Sequence, residues 1–144
     1  MLTQDEADQF TAERKRFAAQ TAVSIPPGVR NAYDLTGTDT GTAYLLDVHR
    51  GSLKLSRVML QNRVRVAVVL VRVDVNGAPH TNPDQQRIDG SHVHVYREGY
   101  EDKWAHPLDP TVFSDPGDIT QVLQDFCRFC NIDHGQISAQ VGML

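Results

Sequence analysis

The feature that most constrains the fold is an alternation of apolar and polar residues, with a period of two, that begins at Ala43. A period of two places successive side chains on opposite faces of a β-strand. Turn-forming pairs at Arg50-Gly51 and Asn62-Arg63 separate the alternating segments, so the sequence predicts antiparallel strands in a meander. The segments are AYLLDVH (43–49), SLKLSRVMLQ (52–61) and VRVAVVLVRVDV (64–75).

The third segment is apolar on both faces from Val66 to Val71, as a strand covered on both sides requires. We therefore expect the strand over 64–75 to be central in the sheet. A fourth strand is predicted from His92 to Glu98, and a short fifth strand follows the turn at Gly99. Together these segments predict an antiparallel sheet of four or five strands over 43–107.

Two helices are predicted to flank the sheet. Thr3 and Glu6 form a capping box, and helix formers continue over 3–19. Near the other end, Asp115 and Pro116 suit a helix start, and apolar residues follow at helical spacing over 116–130. The segment 21–42 is interpreted as a loop with at most a short edge strand around Tyr33, and 133–144 as a weakly patterned tail. The predicted fold is a single α+β domain over 1–144, with both helices packed on the sheet.

The composition excludes several classes of protein. No apolar run reaches the roughly 18 residues that a membrane span needs, and the first residues lack a signal-peptide pattern. Two cysteines are too few for a disulfide scaffold. We expect a cytoplasmic protein with no membrane partner.

The two cysteines form the motif Cys127-Arg-Phe-Cys130 at the end of the second predicted helix. Thiolates at that position face the negative end of the helix dipole, which disfavours redox activation. The helical phase places Cys127 in the core, so both thiols are interpreted as buried and structural.

Over nearly its whole length the chain resembles a family of small uncharacterised prokaryotic proteins, a domain of unknown function. The resemblance is carried by MLTQDEAD, YLLDVHRGSLKLS, PHTNPD, HVHVYREGYEDKWAHPL and DFCRFCNI. It marks residues 80–107 as the characteristic region and brings no activity, cofactor or residue role with it.

Charge is distributed unevenly along the chain. The net charge is −4, yet residues 48–73 carry six cationic side chains and no Asp or Glu. Such a basic segment is typical of proteins that bind a phosphate-bearing partner, for which RNA or another nucleic acid is the leading candidate. The alternative is a solvated sheet face. The six cationic residues are Arg50, Lys54, Arg57, Arg63, Arg65 and Arg72.

The fourth strand is the candidate site, because period-two geometry puts His92, His94, Tyr96 and Glu98 on one face. Cleavage of RNA by its own 2′-hydroxyl needs a base, an acid and a cation for the developing charge. The leading hypothesis is a protein directed at RNA or another nucleic acid, and a metal-independent, toxin-like endoribonuclease without a cofactor is its catalytic form. Its candidate catalytic residues are His92, His94, Tyr96, Arg97, Glu98 and Lys103.

Two other interpretations of this face remain open. In one, His92, His94 and Glu98 bind one divalent metal in the order H-x-H-x3-E that cupins use, with His80 or His106 as a further ligand. In the other, the face binds a protein partner without chemistry, as an inhibitor or accessory protein of a mobile element or an anti-defence system would. The candidate interface residues are Tyr100, Trp104 and His106. The sequence does not indicate an oligomeric state.

Overall fold

The strands that the alternation predicts form the middle of a larger antiparallel sheet in the computed structural model, which describes residues 1–19, 22–135 and 138–141. The strands of this main sheet are β1 (Lys15–Phe17), β3 (Arg30–Gly37), β4 (Ala43–Arg50), β5 (Val58–Val64), β6 (Val68–Val75), β9 (His92–Val95) and β10 (Ala105–Pro107). Their order across the sheet is β1-β3-β4-β5-β6-β9-β10. The predicted α+β class is confirmed.

The prediction of four or five strands is wrong, because the main sheet has seven strands within the described residues. The extra strands are β1 and β3, which extend the sheet beyond β4. β1 arises from the end of the predicted first helix, and β3 arises from the predicted loop over 21–42. Neither segment has a clear two-residue period, so pairing with β4 and not local pattern makes β3 a strand.

The turn between the second and third predicted strands lies further along the chain than expected. Asn62 and Arg63 belong to β5, and the chain turns at Arg65–Ala67, where Arg65 and Val66 adopt φ values of 51° and 65°. The side chain of Asn62 is buried and donates a hydrogen bond to the carbonyl of Leu45, which holds it inside the sheet. The predicted strand over 64–75 therefore divides between β5, the turn and β6.

The helix α1 (Gln4–Ala12) begins with the predicted capping box, since Thr3 and Glu6 bond to each other's backbone. It ends at Ala12 and not at residue 19, because the chain becomes extended at Glu13 and pairs as β1. Lys15 stabilises this break, since its buried ammonium donates hydrogen bonds to the carbonyls of Thr11, Glu13 and Cys130. Burial lowers the pKa of Lys15 to about 8.

The helix α2 (Ile119–Phe129) is shorter at its start than the predicted 116–130 segment. Its N-cap is Asp118, whose side chain accepts from the backbone of Gln121, while Asp115 accepts from Gly117 in the preceding turn. Its buried stripe confirms the predicted core-facing helix. The stripe contains Val122, Leu123, Phe126 and Cys127.

The two remaining pairs of short strands within the described residues are peripheral. β2 (Ala22–Ile25) pairs in parallel with β11 (Ser138–Val141), so part of the predicted tail is a strand. β7 (His80–Thr81) and β8 (Arg87–Ile88) form a small hairpin in the loop between β6 and β9. Residues 20–21, 136–137 and 142–144 of the predicted loop and tail lie outside the described residues. Neither α1 nor α2 is long and apolar enough to cross a membrane.

The main sheet has an apolar face and a polar face. Tyr44, Leu46 and Val48 of β4, with the neighbouring side chains of β5 and β6, belong to the buried core together with residues of both helices. The opposite side chains of the same strands are mostly polar, for example Asp47, Gln61 and Arg72. We call this second surface the polar face, and the candidate site lies on it.

Candidate functional site

The centre of the candidate site is formed where β6 lies beside β9. The antiparallel register places Arg72 opposite His94 and Asp74 opposite His92. Directly opposed residues have their side chains on the same face, so the four project together from the polar face. The pairing confirms that His92 and His94 share a face, and it adds two partners from a different strand.

The four side chains form one contact network. Nε2 of His94 lies 3.2 Å from Oδ2 of Asp74, and Nε2 of His92 lies 3.6 Å from the same oxygen. The Arg72 guanidinium contacts Asp74 through Nε at 2.9 Å and Nε2 of His94 through Nη2 at 2.9 Å. It also reaches Asp102 at 3.4 Å. Asp74 is therefore the point on which both imidazoles and the guanidinium converge.

Backbone carbonyls fix the orientation of the histidine rings. Nδ1 of His92 lies 2.9 Å from the carbonyl of Gly90, and Nδ1 of His94 lies 2.8 Å from the carbonyl of Asp102. Since a carbonyl oxygen only accepts, each Nδ1 carries a proton. The Nε2 atom of each ring faces the carboxylate of Asp74.

Burial governs the protonation of this centre. The side chains of His92 and His94 are 3% and 1% exposed. Burial lowers the pKa of His92 despite the nearby carboxylate, so its neutral form is favoured. Burial alone would raise the pKa of Asp74, but the contacts with His94 and Arg72 outweigh it, and the pKa lies below its ordinary value. Asp74 is thus ionised beside two largely enclosed imidazoles.

A third histidine reaches the centre from the β7–β8 hairpin. The ring centroid of His80 lies 4.6 Å from that of His94 and 5.7 Å from that of His92. Its Nε2 lies 2.8 Å from the carbonyl of Lys103, which fixes this ring in the same manner. His80 had been considered as a further metal ligand, and it lies beside the pair, whereas His106 is exposed on β10.

A cavity of about 670 Å³ opens beside this centre on the polar face. Arg72 and Asp74 belong to its lining together with four further basic or imidazole side chains and five uncharged residues. Asp74 is the one acidic residue among the described residues that line it. The other basic lining residues are Arg30, His49, Lys54 and Arg57.

Three of these cations have no acidic partner. Arg30, Lys54 and Arg57 are exposed, and none forms an ion pair with another described residue. The negative charge of Asp74 is already matched by Arg72. The cavity therefore has excess positive charge that a bound anion would neutralise.

Two members of the predicted catalytic set lie away from the centre. β9 ends at Val95, and Tyr96 is 3% exposed within the core cluster, with its hydroxyl donating to the carbonyl of Leu2. Glu98 accepts a 2.7 Å hydrogen bond from the backbone of Gln4 and so caps α1. The single four-residue face predicted for this strand is wrong, because the strand is too short to continue the alternation to Glu98.

The remaining predicted catalytic and interface residues form a separate surface. Arg97 lies over the rings of Trp104 and Tyr100, at 4.4 and 5.7 Å from their centroids. Lys103 is exposed, and it is its carbonyl, not its ammonium, that contacts a histidine. None of these side chains lines the cavity. The structure thus brings together His92 and His94 from the six predicted catalytic residues.

Three of the six predicted nucleic-acid-binding residues line the cavity, and the other three have partners elsewhere. Lys54, Arg57 and Arg72 line the cavity. Arg50 is 8% exposed and donates to the carbonyls of Leu55 and Ile25. The other two contact acidic side chains. Arg63 is bound to Asp47, and Arg65 lies 3.8 Å from Glu6 of α1.

Sequence reasoning missed Asp74 as a member of the centre, together with Arg30 and His49 of the cavity. The signal for Asp74 was the return of polarity at Arg72 and Asp74 after the apolar part of β6. For Arg30 there was no local signal, since it enters the site through the register of β3 with β4, which places it opposite His49.

Cys127 and Cys130 play no part in this site. Both are free thiols, and both are 0% exposed. Burial raises the pKa of the Cys127 thiol to about 12 and raises that of Cys130 further. Their predicted burial in the core is confirmed, and their thiolates are suppressed at neutral pH.

Comparison with known proteins identifies a family and no activity. The model of a family of unknown function, DUF6978, matches residues 2–132. No significant match was found among curated proteins or among solved structures.

Proposed function

The chain belongs to the DUF6978 family, and because that membership assigns no activity, we propose from its charge distribution that it is an RNA-directed protein of the cytoplasm. The backbone phosphates of a single strand bind in the cavity. The observation that carries this proposal is the group of Arg30, Lys54 and Arg57, which surround the cavity without an acidic partner among the described residues.

The shape of the site favours a strand over a duplex. The charge lies within a cavity of about 670 Å³ and not along an extended ridge. A concave site of this size accommodates a few nucleotides, and lysine and arginine side chains contact successive phosphates. The net charge of −4 works against non-specific attraction to long duplexes, so binding depends on these local cations.

Direct RNA cleavage by the predicted acid–base set receives less support. Tyr96 and Glu98 have other partners, and both histidines beside the cavity are almost completely buried. General acid–base catalysis requires the side chain to reach the proton that it transfers. Binding of RNA is therefore the proposed function, and cleavage is tested separately on the same purified protein and RNA.

The test is the affinity of the purified chain for a fluorescently labelled single-stranded RNA, measured by anisotropy from about 50 to about 200 mM salt. Arg57→Ala and Lys54→Ala should each weaken binding and reduce the slope of log affinity against log salt by about 0.7. Arg57→Lys should retain the slope, because it retains the charge.

Arg65→Ala is the matched control, since Arg65 is a cation of the same basic segment that lies outside the cavity. Equal losses for Arg57→Ala and Arg65→Ala would contradict the proposal, as would the absence of salt-dependent binding. A DNA strand of the same sequence tests whether the 2′-hydroxyl contributes to recognition. Incubation of the same RNA without added metal shows whether it is cleaved.

A further inference from the structure

We propose that Asp74, His92 and His94 bind one divalent transition-metal ion of the zinc class, at the position where the Arg72 guanidinium now contacts Asp74 and His94. The ligands are one carboxylate oxygen and the Nε2 atoms of the two histidines, which lie within 4.8 Å of one another. This inference does not depend on RNA binding.

The spacing of the donor atoms fits a tetrahedral ion. Bonds of about 2.0–2.2 Å to nitrogen and oxygen imply that neighbouring ligand atoms lie roughly 3.3–3.6 Å apart. The separations from Oδ2 of Asp74, 3.2 Å to His94 and 3.6 Å to His92, lie close to this range, and all three ligand atoms lie within 4.8 Å of one another. A shift of the two imidazoles toward each other brings the three atoms around one ion.

The hydrogen bonds around the rings also match those of a metal site. Histidine ligands usually donate their other ring N–H to a carboxylate or a backbone carbonyl, which fixes the tautomer. Gly90 and Asp102 supply such carbonyls to His92 and His94. Neither ring requires a change of tautomer to present Nε2 to a metal.

Arg72 contacts two of the three ligand residues. Its guanidinium donates to Asp74 and lies 2.9 Å from Nε2 of His94, whereas Nε2 of His92 lies 3.6 Å from Oδ2 of Asp74. An ion held by all three residues would therefore contact Nε2 of His92 in addition to the two atoms that Arg72 contacts.

Arg72 and the ion exclude each other, because both need the same oxygen of Asp74 and the same nitrogen of His94. The Arg72 side chain is 28% exposed, lines the cavity and already reaches Asp102 at 3.4 Å. Metal binding would therefore release this guanidinium toward Asp102 and the cavity. With three protein ligands, the ion keeps an open position, as catalytic zinc sites do.

The experiment is titration of chelator-treated, dialysed protein with Zn²⁺ alone by calorimetry, and with Co²⁺ alone by visible absorption. One ion per chain and the intense absorption of tetrahedral Co²⁺ are expected. Asp74→Asn preserves the shape of the side chain and one oxygen. This variant and His94→Ala should each weaken metal binding at least about tenfold, because changes even to residues that only support metal ligands cost that much affinity. His106→Ala and the double variant Cys127→Ala/Cys130→Ser are the matched controls and should bind normally.

Arg72→Gln distinguishes a metal site that Arg72 occupies from a hydrogen-bond network that Arg72 only stabilises. At a metal site, removal of the competing cation should tighten metal binding several-fold. A network held together by Arg72 would show only lower stability in this variant. Should His94→Ala fail to fold, Asp74→Asn and Arg72→Gln decide the question. No stoichiometric binding of either ion, or full binding by folded Asp74→Asn, would overturn the proposal. Since RNA is absent, the outcome is independent of the Arg57 and Lys54 results.

Discussion

The hydroxyl of Tyr96 donates a 2.7 Å hydrogen bond to the backbone carbonyl of Leu2. Both side chains are buried, at 3% and 1% exposure, so the bond ties the start of the chain to the segment just after β9. This bond gives the Tyr96 hydroxyl a structural partner. It explains why the phenol does not contact His92 and His94, which precede it in the sequence.

Tyr96→Phe should therefore lower the free energy of unfolding by somewhat more than about 1 kcal/mol. The loss exceeds that of an ordinary hydrogen bond because the Leu2 carbonyl becomes unpaired. Affinities for RNA, Zn²⁺ and Co²⁺ should not change. Urea denaturation gives the first quantity, and the two titrations give the others. A large loss of RNA or metal affinity without a loss of stability would show that Tyr96 belongs to the binding site.

Glu98→Ala tests whether Glu98, as in the cupin-like motif, or Asp74 is the carboxylate ligand beside His92 and His94. Glu98 and Gln4 exchange hydrogen bonds between side chain and backbone at the start of α1. Removing this cap should lower the free energy of unfolding by about 1 kcal/mol, as loss of a helix cap does. Metal affinity should be unchanged, whereas a tenfold loss in calorimetry would show that Glu98 and not Asp74 completes the ligand set.

Arg63→Ala and Arg65→Ala should differ strongly in stability, although the two residues are neighbours in the basic segment. Arg63 pairs with Asp47, whose side chain is 2% exposed, so its removal leaves a buried charge with Gln61 as its remaining donor. We expect a loss of about 3 kcal/mol. Arg65 pairs with Glu6 at an exposed position, and its removal should leave stability almost unchanged. Thermal denaturation of both variants side by side measures the contrast.

The buried thiols should make stability depend on alkaline pH. Their folded-state pKa values are raised above the ordinary value of 9.0, so their contribution is complete below pH 9 and is lost as pH rises through the folded values. At about pH 10 each thiol should have lost roughly 1.4 kcal/mol. The variant Cys127→Ala/Cys130→Ser should be less stable at neutral pH but should lack this loss.

Lys15, with its pKa lowered to about 8, titrates in the same range and acts in the opposite direction. Its folded state binds fewer protons than its unfolded state between about pH 8 and 10.5, so its effect is a gain in stability as pH rises. Lys15 is present in both proteins, so the difference between their urea denaturation curves consists of the thiol contribution and of the mutual influence of Cys130 and Lys15 on their pKa values. Parallel losses in the two proteins would contradict their buried, protonated state.

The parts of the fold that follow a strong local period could be predicted from the sequence. β4 alternates, β6 is a long apolar segment that returns to alternation at Arg72, and α2 has an apolar stripe, so the existence and type of these elements are predicted correctly. The turn at Arg65–Ala67 could not be placed, because Val66 is β-branched and adopts a left-handed φ of 65° only in its tertiary context. Asn62, a residue typical of turns, is instead buried inside the sheet, where its side-chain amide donates to the carbonyl of Leu45.

The candidate site was predictable only along a single strand. The two histidines of β9 share a face because of the two-residue period, and this part was found. Asp74 and Arg72 enter through the register of β6 with β9, and His80 enters through a hairpin in a loop. Such relations between distant segments depend on strand pairing, which the period of one strand does not specify.

The parallel pairing of β2 with β11 has a consequence for biosynthesis. β2 leaves the ribosome early, but its partner over Ser138–Val141 is translated only near the end of the described chain. At the usual rates of translation this interval lasts several seconds, during which the edge of β2 lacks its partner. Val23 and Ile25, which are buried in the folded protein, therefore lie on a strand whose edge stays unpaired with β11 during most of synthesis.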